Sequence, residues 1–309
     1  MVKPLRPKIA TNIAGLELRN PTMLSAGILG LSGLSLRAVW EAGAGAVVTK
    51  SLGINARIGH PNPTIVNVGC GFINSMGLPN AGAKEYADEI QIARSGGEIV
   101  IIASIYGASP SELVEVAKIV ENEKVDAIEL NLSCPNVEGF GIEIGQDPKL
   151  VRNVVKAVKN AVRIPVFTKL TPNVTDIKAI AKTAVDAGSD GLVVINTVRA
   201  IAIDLETGRP ILANKIGGLS GPAIKPIALR CVYEISQSVH APVIGCGGVT
   251  CWQDAIEFLF AGAVAVQIGT ANAYKGLNVY KEITTGLEKY LEEKHFKSVD
   301  EIVGLSHRY

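Results

Sequence analysis

Eight short, apolar, β-branched runs separated by amphipathic stretches constrain this 309-residue chain more than any other feature. The runs are 22–26, 46–50, 99–104, 127–132, 166–170, 191–196, 242–245 and 263–268. Each is near-continuously apolar, as strands covered on both faces must be, and that is the mark of a parallel sheet. Helix starts fall between them. Ser109-Pro110-Ser111-Glu112 offers Ser109 as an N-cap and Pro110 at the first helical position, and Asp147-Pro148-Lys149 repeats the pattern. Val174-Thr175-Asp176 opens a third helix, a fourth begins near Pro222, and residues 253–261 belong to a late one. Strand–helix alternation implies a parallel sheet, and eight units imply a closed (β/α)8 TIM barrel of the α/β class. An open doubly wound sheet is the alternative arrangement of the same units.

Residues 9–18 read as a hairpin turning at Ala14-Gly15, placed to plug the bottom of the barrel. Two connections, 53–79 and 198–220, exceed simple loops and mark long insertions at strand ends. From Lys294 onward the chain reads as a polar tail or a small final helix. A single domain over residues 1–309 accommodates all of this.

Composition narrows the partners. Net charge is +1, so no field points to nucleic acid or to an anionic membrane. No apolar run reaches the roughly 18 residues a membrane span requires, and the opening residues lack a signal-peptide core. The five cysteines (70, 134, 231, 246 and 251) are scattered with no Cys-x-x-Cys pair. No metal or iron–sulfur site is expected, and a reducing, cytoplasmic compartment is.

Barrel strands direct the residues at their C-terminal ends to one mouth, where chemistry is done. Those residues are Ser25, Ala26 and Gly27; Lys50 and Ser51; Ser104; Asn131 with Cys134 and Asn136; Lys169; Asn196 and Thr197; Gly245, Cys246, Gly247 and Gly248; Gly269 and Thr270. Lys50 and Lys169 stand at the ends of near-apolar strands, where an amine is rarely buried without a partner. Gly247-Gly248 and Gly269-Thr270 occupy the loops after strands 7 and 8, which in barrels often hold a phosphate. Gly217-Gly218-Leu219-Ser220-Gly221 is a third glycine turn, though none has the dinucleotide spacing G-x-G-x-x-G. The hexapeptide Asn131-Leu132-Ser133-Cys134-Pro135-Asn136 places a thiol between two carboxamides at a strand end. By itself that thiol reads equally as an inert, buried cysteine or as a reactive one. Asn74-Ser75-Met76-Gly77-Leu78 reads as an ordinary turn or as a binder of a planar, hydrogen-bonding ligand.

Together these motifs resemble the class 1 dihydroorotate dehydrogenase family. The likeness runs through Thr49-Lys50-Ser51, Asn74–Leu78, Glu129–Asn136, Lys169-Leu170-Thr171-Pro172, Ile195-Asn196-Thr197, Gly217–Ala223 and Gly247-Gly248-Val249. It is strongest to the type B (1B) catalytic subunit, on Pro210-Ile211-Leu212-Ala213-Asn214 and Gly145-Gln146-Asp147-Pro148. Class 2 members carry an N-terminal membrane-binding segment and a serine base, and this sequence is expected to have neither.

The resemblance implies a reaction, a cofactor and roles. (S)-Dihydroorotate would be oxidised to orotate in de novo pyrimidine (UMP) biosynthesis, on an FMN in the barrel mouth. Cys134 would be the base that removes the C5 proton, with hydride passing from C6 to flavin N5. FMN would be bound by Ser25, Ala26, Gly27, Lys50, Ser51, Asn131, Lys169, Ile195, Gly221, Gly247, Gly248, Gly269 and Thr270. Substrate would be bound by Lys50, Asn74, Ser75, Met76, Gly77, Leu78, Asn131, Asn136, Asn196 and Thr197. Ser25-Ala26-Gly27 departs from the Ala-Ser-Gly common in relatives, which leaves open whether Ser25 or the backbone meets the flavin. Electrons would leave to an acceptor, NAD by way of an iron–sulfur/FAD partner subunit, on a homodimer core that makes a heterotetramer with it. Two other readings remain. One is a dihydropyrimidine dehydrogenase-like subunit acting on uracil or thymine. The other is a non-redox phosphate-binding barrel, which leaves Cys134 without a task.

Overall fold

A computed structural model of the chain describes residues 8–132 and 144–309. Eight parallel strands run Thr22–Leu24, Val47–Val48, Ile101–Ile105, Ala127–Asn131, Val166–Leu170, Gly191–Val194, Val243–Cys246 and Ala263–Ile268. Each strand pairs with its neighbour in sequence, and the eighth pairs with the first. The ring closes between first and second strands through a parallel bridge from Met23 to Ala46, where the Leu24 N–H donates to the Ala46 carbonyl at 3.0 Å. Strand order never reverses, so the doubly wound alternative is excluded and the (β/α)8 barrel stands.

Strand periodicity sorts the core into two bodies. Side chains alternate across a strand. Met23, Ala46, Val48, Ile102, Ala127, Phe167, Val193, Ile244 and Ala265 form an inner cluster with Ile13 and Leu18. Those last two come from the antiparallel hairpin Thr11–Ile13/Leu16–Leu18, which plugs the barrel floor as expected. The intervening residues, among them Leu24, Val47, Ile101, Ile128, Val166, Leu192, Val243 and Val266, form the outer cluster with the helices. Phe167 fills the barrel interior with no exposure, and a Cβ placed on Gly191 would stand 2.9 Å from its ring. Phe167→Ala is therefore expected to cost about 3–5 kcal/mol, read as a lowered denaturation midpoint by circular dichroism.

Helix starts follow local chemistry. Ser109 Oγ accepts from the Glu112 N–H at 3.2 Å ahead of Pro110–Asn122. Asp147 Oδ1 accepts from the Lys149 N–H at 2.7 Å, and Asp176 Oδ1 from the Lys178 N–H at 3.0 Å. Each satisfies a donor the helix leaves unpaired.

Of the two readings of the residues after Lys294, the small final helix holds and the polar tail does not: short 3-10 turns run Val299–Ile302 and Leu305–Arg308. Val299 and Ile302 are fully buried against Leu259, Leu287 and Leu291. The two long connections, as expected, exceed simple loops, and they build one sheet together. Ile65–Asn67 and Phe72–Asn74 from the first pair with Gly217–Ser220 and Val198–Ala200 from the second, in an antiparallel four-stranded sheet. Gly-Gly-Leu-Ser has little strand propensity, so its pairing is a product of tertiary context. Among the described residues no helix is long and apolar enough to cross a membrane.

Candidate active site

The inner alternation continues past the apolar layer and turns polar in one step. Two residues beyond Met23, Val48, Ile102, Ala127, Phe167, Ile244 and Ala265 stand Ser25, Lys50, Ser104, Glu129, Lys169, Cys246 and Gln267. All seven are buried. They form a polar tier at the C-terminal ends of the strands, directly above the hydrophobic filling of the barrel. Buried polar groups persist only when paired, so their partners define the site.

Lys50 lies just past the end of the second strand and is 6% exposed. Its Nζ donates to the Gly27 carbonyl at 2.9 Å. Among the described residues no carboxylate stands within ion-pair distance, and burial pulls its pKa below the ordinary lysine value. Beside it a chain of hydrogen bonds crosses the mouth. Ser51 Oγ lies 2.9 Å from Ser104 Oγ, Asn131 Nδ2 donates to Ser51 Oγ at 3.1 Å, and Asn196 Nδ2 donates to Asn131 Oδ1 at 3.4 Å. Asn196 Oδ1 in turn accepts from the Thr197 N–H at 2.8 Å. Strands two, three, four and six thus present linked hydroxyls and carboxamides.

Lys169 is tied differently. Its Nζ stands 3.3 Å from Glu129 Oε1 and donates to Gln267 Oε1 at 3.1 Å. Gln267 Nε2 donates to Glu129 Oε2 at 2.6 Å. Burial pulls the Lys169 pKa down most strongly, but the charge and hydrogen bond of Glu129, together with neighbouring Cys246, outweigh it and leave the ammonium above its ordinary value. Glu129 and Gln267 were not among the sequence-derived site residues. The signal was present: each is the only strongly polar residue of its strand's inner face below the mouth.

The glycine loops meet one another. Gly248 has φ +80°, and a Cβ there would lie 2.9 Å from the Gly221 carbonyl. A Cβ on Gly221 would lie 3.2 Å from Thr270 Cγ2, and Thr270 Oγ1 donates to Ser220 Oγ at 2.8 Å. The loops after strands six, seven and eight therefore converge on one backbone-lined edge of the mouth. At the end of the first strand, next to the eighth, Gly27 has φ +94°, and a Cβ on it would meet nothing within 4 Å. Ser25 Oγ lies 3.6 Å from Cys246 Sγ and its N–H donates to the Ile268 carbonyl at 3.0 Å. Gly269 stands beside Ser25, since a Cβ there would lie 3.5 Å from Ser25 Cβ. The Ile195 N–H donates to the Cys246 carbonyl at 2.8 Å, which brings the sixth strand's end to the same tier.

The four-stranded sheet brings residues 74–78 toward this mouth. Asn74 Nδ2 donates to the Gly218 carbonyl at 3.3 Å, and Gly218 packs on Thr197 so closely that a Cβ would clash with it. Ser75 and Met76 face a different neighbour. Ser75 Oγ accepts from Asn214 Nδ2 at 2.9 Å and lies 3.1 Å from His60 Nδ1, while the Met76 carbonyl accepts from the His60 N–H at 3.0 Å. Gly77 and Leu78 continue the turn at φ +73° and +56°. Cys134 and Asn136 lie outside the described residues. The residues flanking that segment are joined, since the Gly145 N–H donates to the Leu132 carbonyl at 2.9 Å, one residue beyond Asn131.

The comparisons agree with this geometry. The profile described as "Dihydroorotate dehydrogenase" matches residues 8–291. A protein of Methanocella arvoryzae named "Dihydroorotate dehydrogenase B (NAD(+)), catalytic subunit" is 51% identical over 301 residues, 97% of this chain and 98% of its own length. Proteins of the same name from Methanothermobacter thermautotrophicus and Pyrococcus furiosus are 52% and 50% identical, each over 97% of this chain. With barrel, mouth and full-length likeness in accord, the chain belongs to the dihydroorotate dehydrogenase family.

Proposed function

We propose that this chain is the catalytic subunit of a type B dihydroorotate dehydrogenase, oxidising (S)-dihydroorotate to orotate in pyrimidine biosynthesis. The observation that carries the choice of substrate is Lys50. It is a buried ammonium at the barrel mouth without a carboxylate among the described residues, set beside a row of carboxamides. Such a site is complementary to a planar pyrimidine that brings its own carboxylate. Uracil and thymine have none, which ranks the dihydropyrimidine reading second.

Family membership implies a flavin, and we assign it as FMN. The open face of Gly27 leaves room for a flat ring system, and the convergent turns at Gly221, Gly248 and Thr270 fit a terminal phosphate. Ser25, Ala26, Gly27, Lys50, Ser51, Asn131, Lys169, Ile195, Gly247 and Gly269 would hold its remainder. The flavin supplies the two-electron acceptor. The chain's residues do the rest. Lys50 pairs with the substrate carboxylate, and Asn74, Asn131, Asn136, Asn196 and Thr197 take the pyrimidine's donors and acceptors. The turn of Ser75, Met76, Gly77 and Leu78 covers it. Cys134 Sγ, as thiolate, accepts the C5 proton.

An alanine at residue 248 would be forced to φ +80° with its Cβ against the Gly221 carbonyl. Gly248→Ala should therefore weaken FMN binding roughly tenfold or more, measured by quenching of flavin fluorescence on titration into apoprotein.

The relatives are named catalytic subunits of an NAD(+)-linked enzyme, so the route to NAD would lie on a partner subunit carrying iron–sulfur and FAD groups. The test is reoxidation. FMN-reduced chain should react with NAD only when the partner is added; NAD-linked turnover by this chain alone would contradict the assignment. A dimer of catalytic chains flanked by two partners is the expected assembly, read by light scattering of the purified complex.

A further inference from the structure

Lys169 cannot act alone on anything bound above it, because two buried groups hold it. Its neighbours at the same level are Glu129 from the fourth strand, Gln267 from the eighth and Cys246 from the seventh. Glu129 is wholly buried and Lys169 is 5% exposed. The Gln267 carboxamide spans them: its oxygen accepts from Lys169 and its nitrogen donates to Glu129, so both the lysine's direction and the carboxylate's rotamer are set. Two residues below, Phe167, Ala127 and Ala265 seal the tier from the other side. A buried ammonium in such a place sheds its proton unless an anion keeps it.

We propose that Glu129 is a positioning residue that keeps Lys169 charged and aimed at the flavin, with Gln267 as the strut between them. This rests on the FMN reading above. Its consequence concerns protons. With Glu129 present, Lys169 is an ammonium whether the flavin is oxidised or reduced, so flavin reduction draws no proton to it. Without that carboxylate, Lys169 is neutral beside oxidised flavin and gains a proton when negative charge arrives above it.

The test is the pH dependence of the flavin midpoint potential, measured against reference dyes in FMN-loaded protein with a chemical reductant. Between about pH 7.5 and 9, above the titration of the reduced flavin N1 and below that of free lysine and the oxidised ring N3, the native chain should take up one proton per electron pair. Glu129→Gln should take up two per pair over part of that window while still binding FMN. An unchanged slope in E129Q overturns the proposal. Should E129Q not fold, the native chain still decides: a two-proton slope in that window overturns the proposal. Failure of the native chain to bind FMN would instead remove the reading on which this rests.

Discussion

Cys134→Ala should leave FMN bound and its oxidised spectrum intact, yet slow flavin bleaching by dihydroorotate by about 10²–10⁴-fold, the usual worth of a positioned general base. The C5 proton of dihydroorotate is a carbon acid, and no hydroxyl or carboxamide of the mouth is basic enough near neutrality to remove it. Lys50 and Lys169 are ammonium groups committed to other partners, the Gly27 carbonyl and the Glu129 carboxylate. A thiolate suits the task. Its place in the chain is suitable too, since Asn131 and Leu132 deliver the backbone from the inner tier to the rim. The check is anaerobic stopped-flow at the flavin absorbance. Bleaching by the variant within a few-fold of the native rate would remove Cys134 from the mechanism. Loss of FMN binding would not be expected, because the phosphate edge is built from other loops.

Lys50→Met should raise the dissociation constant for orotate by roughly 10–100-fold, the value of a charge-assisted hydrogen bond to a buried partner. Methionine fills the space of the lysine stem, so the substitution removes charge with little change in volume. The fold should tolerate it, since the ammonium sits buried against a neutral carbonyl and its removal leaves no carboxylate unpaired among the described residues. The same reasoning sets a pH dependence. Burial lowers the Lys50 pKa, so the free protein loses this charge at a pH below that of ordinary lysine. Affinity for an anionic substrate is complete below that pKa and falls as pH rises through it. The KM for dihydroorotate should therefore climb on the alkaline side in the native chain and stay flat in the methionine variant. A parallel alkaline rise in both would assign the effect to another group.

Much of this could be read from residue order, and the reasons differ by element. The eight strands were legible because both faces of a barrel strand are apolar, giving dense Val, Ile and Ala runs. The same density hid which residues point inward, so Glu129 and Gln267 were given no role at the site while Lys50 and Lys169, at strand ends, stood out. Helix starts at Ser109, Asp147 and Asp176 were legible because capping is local. The four-stranded sheet was not, because its partners Phe72–Asn74 and Gly217–Ser220 are distant in sequence and Gly-rich on one side. The C-terminal turns stayed ambiguous between tail and helix because their core-facing residues, Val299 and Ile302 with Phe296, Val303 and Leu305, are too few to set a period. At the site, Asn74 meets Gly218, which packs on Thr197, whereas Ser75 turns to His60 and Asn214; neither set of partners is signalled by a local pattern.

Anaerobic addition of dihydroorotate to the FMN-loaded chain tests the central claim most directly. The account predicts bleaching of the flavin bands with one orotate formed per flavin, while dihydrouracil and dihydrothymine leave the spectrum unchanged. A flavin that dithionite reduces but dihydroorotate does not would contradict it.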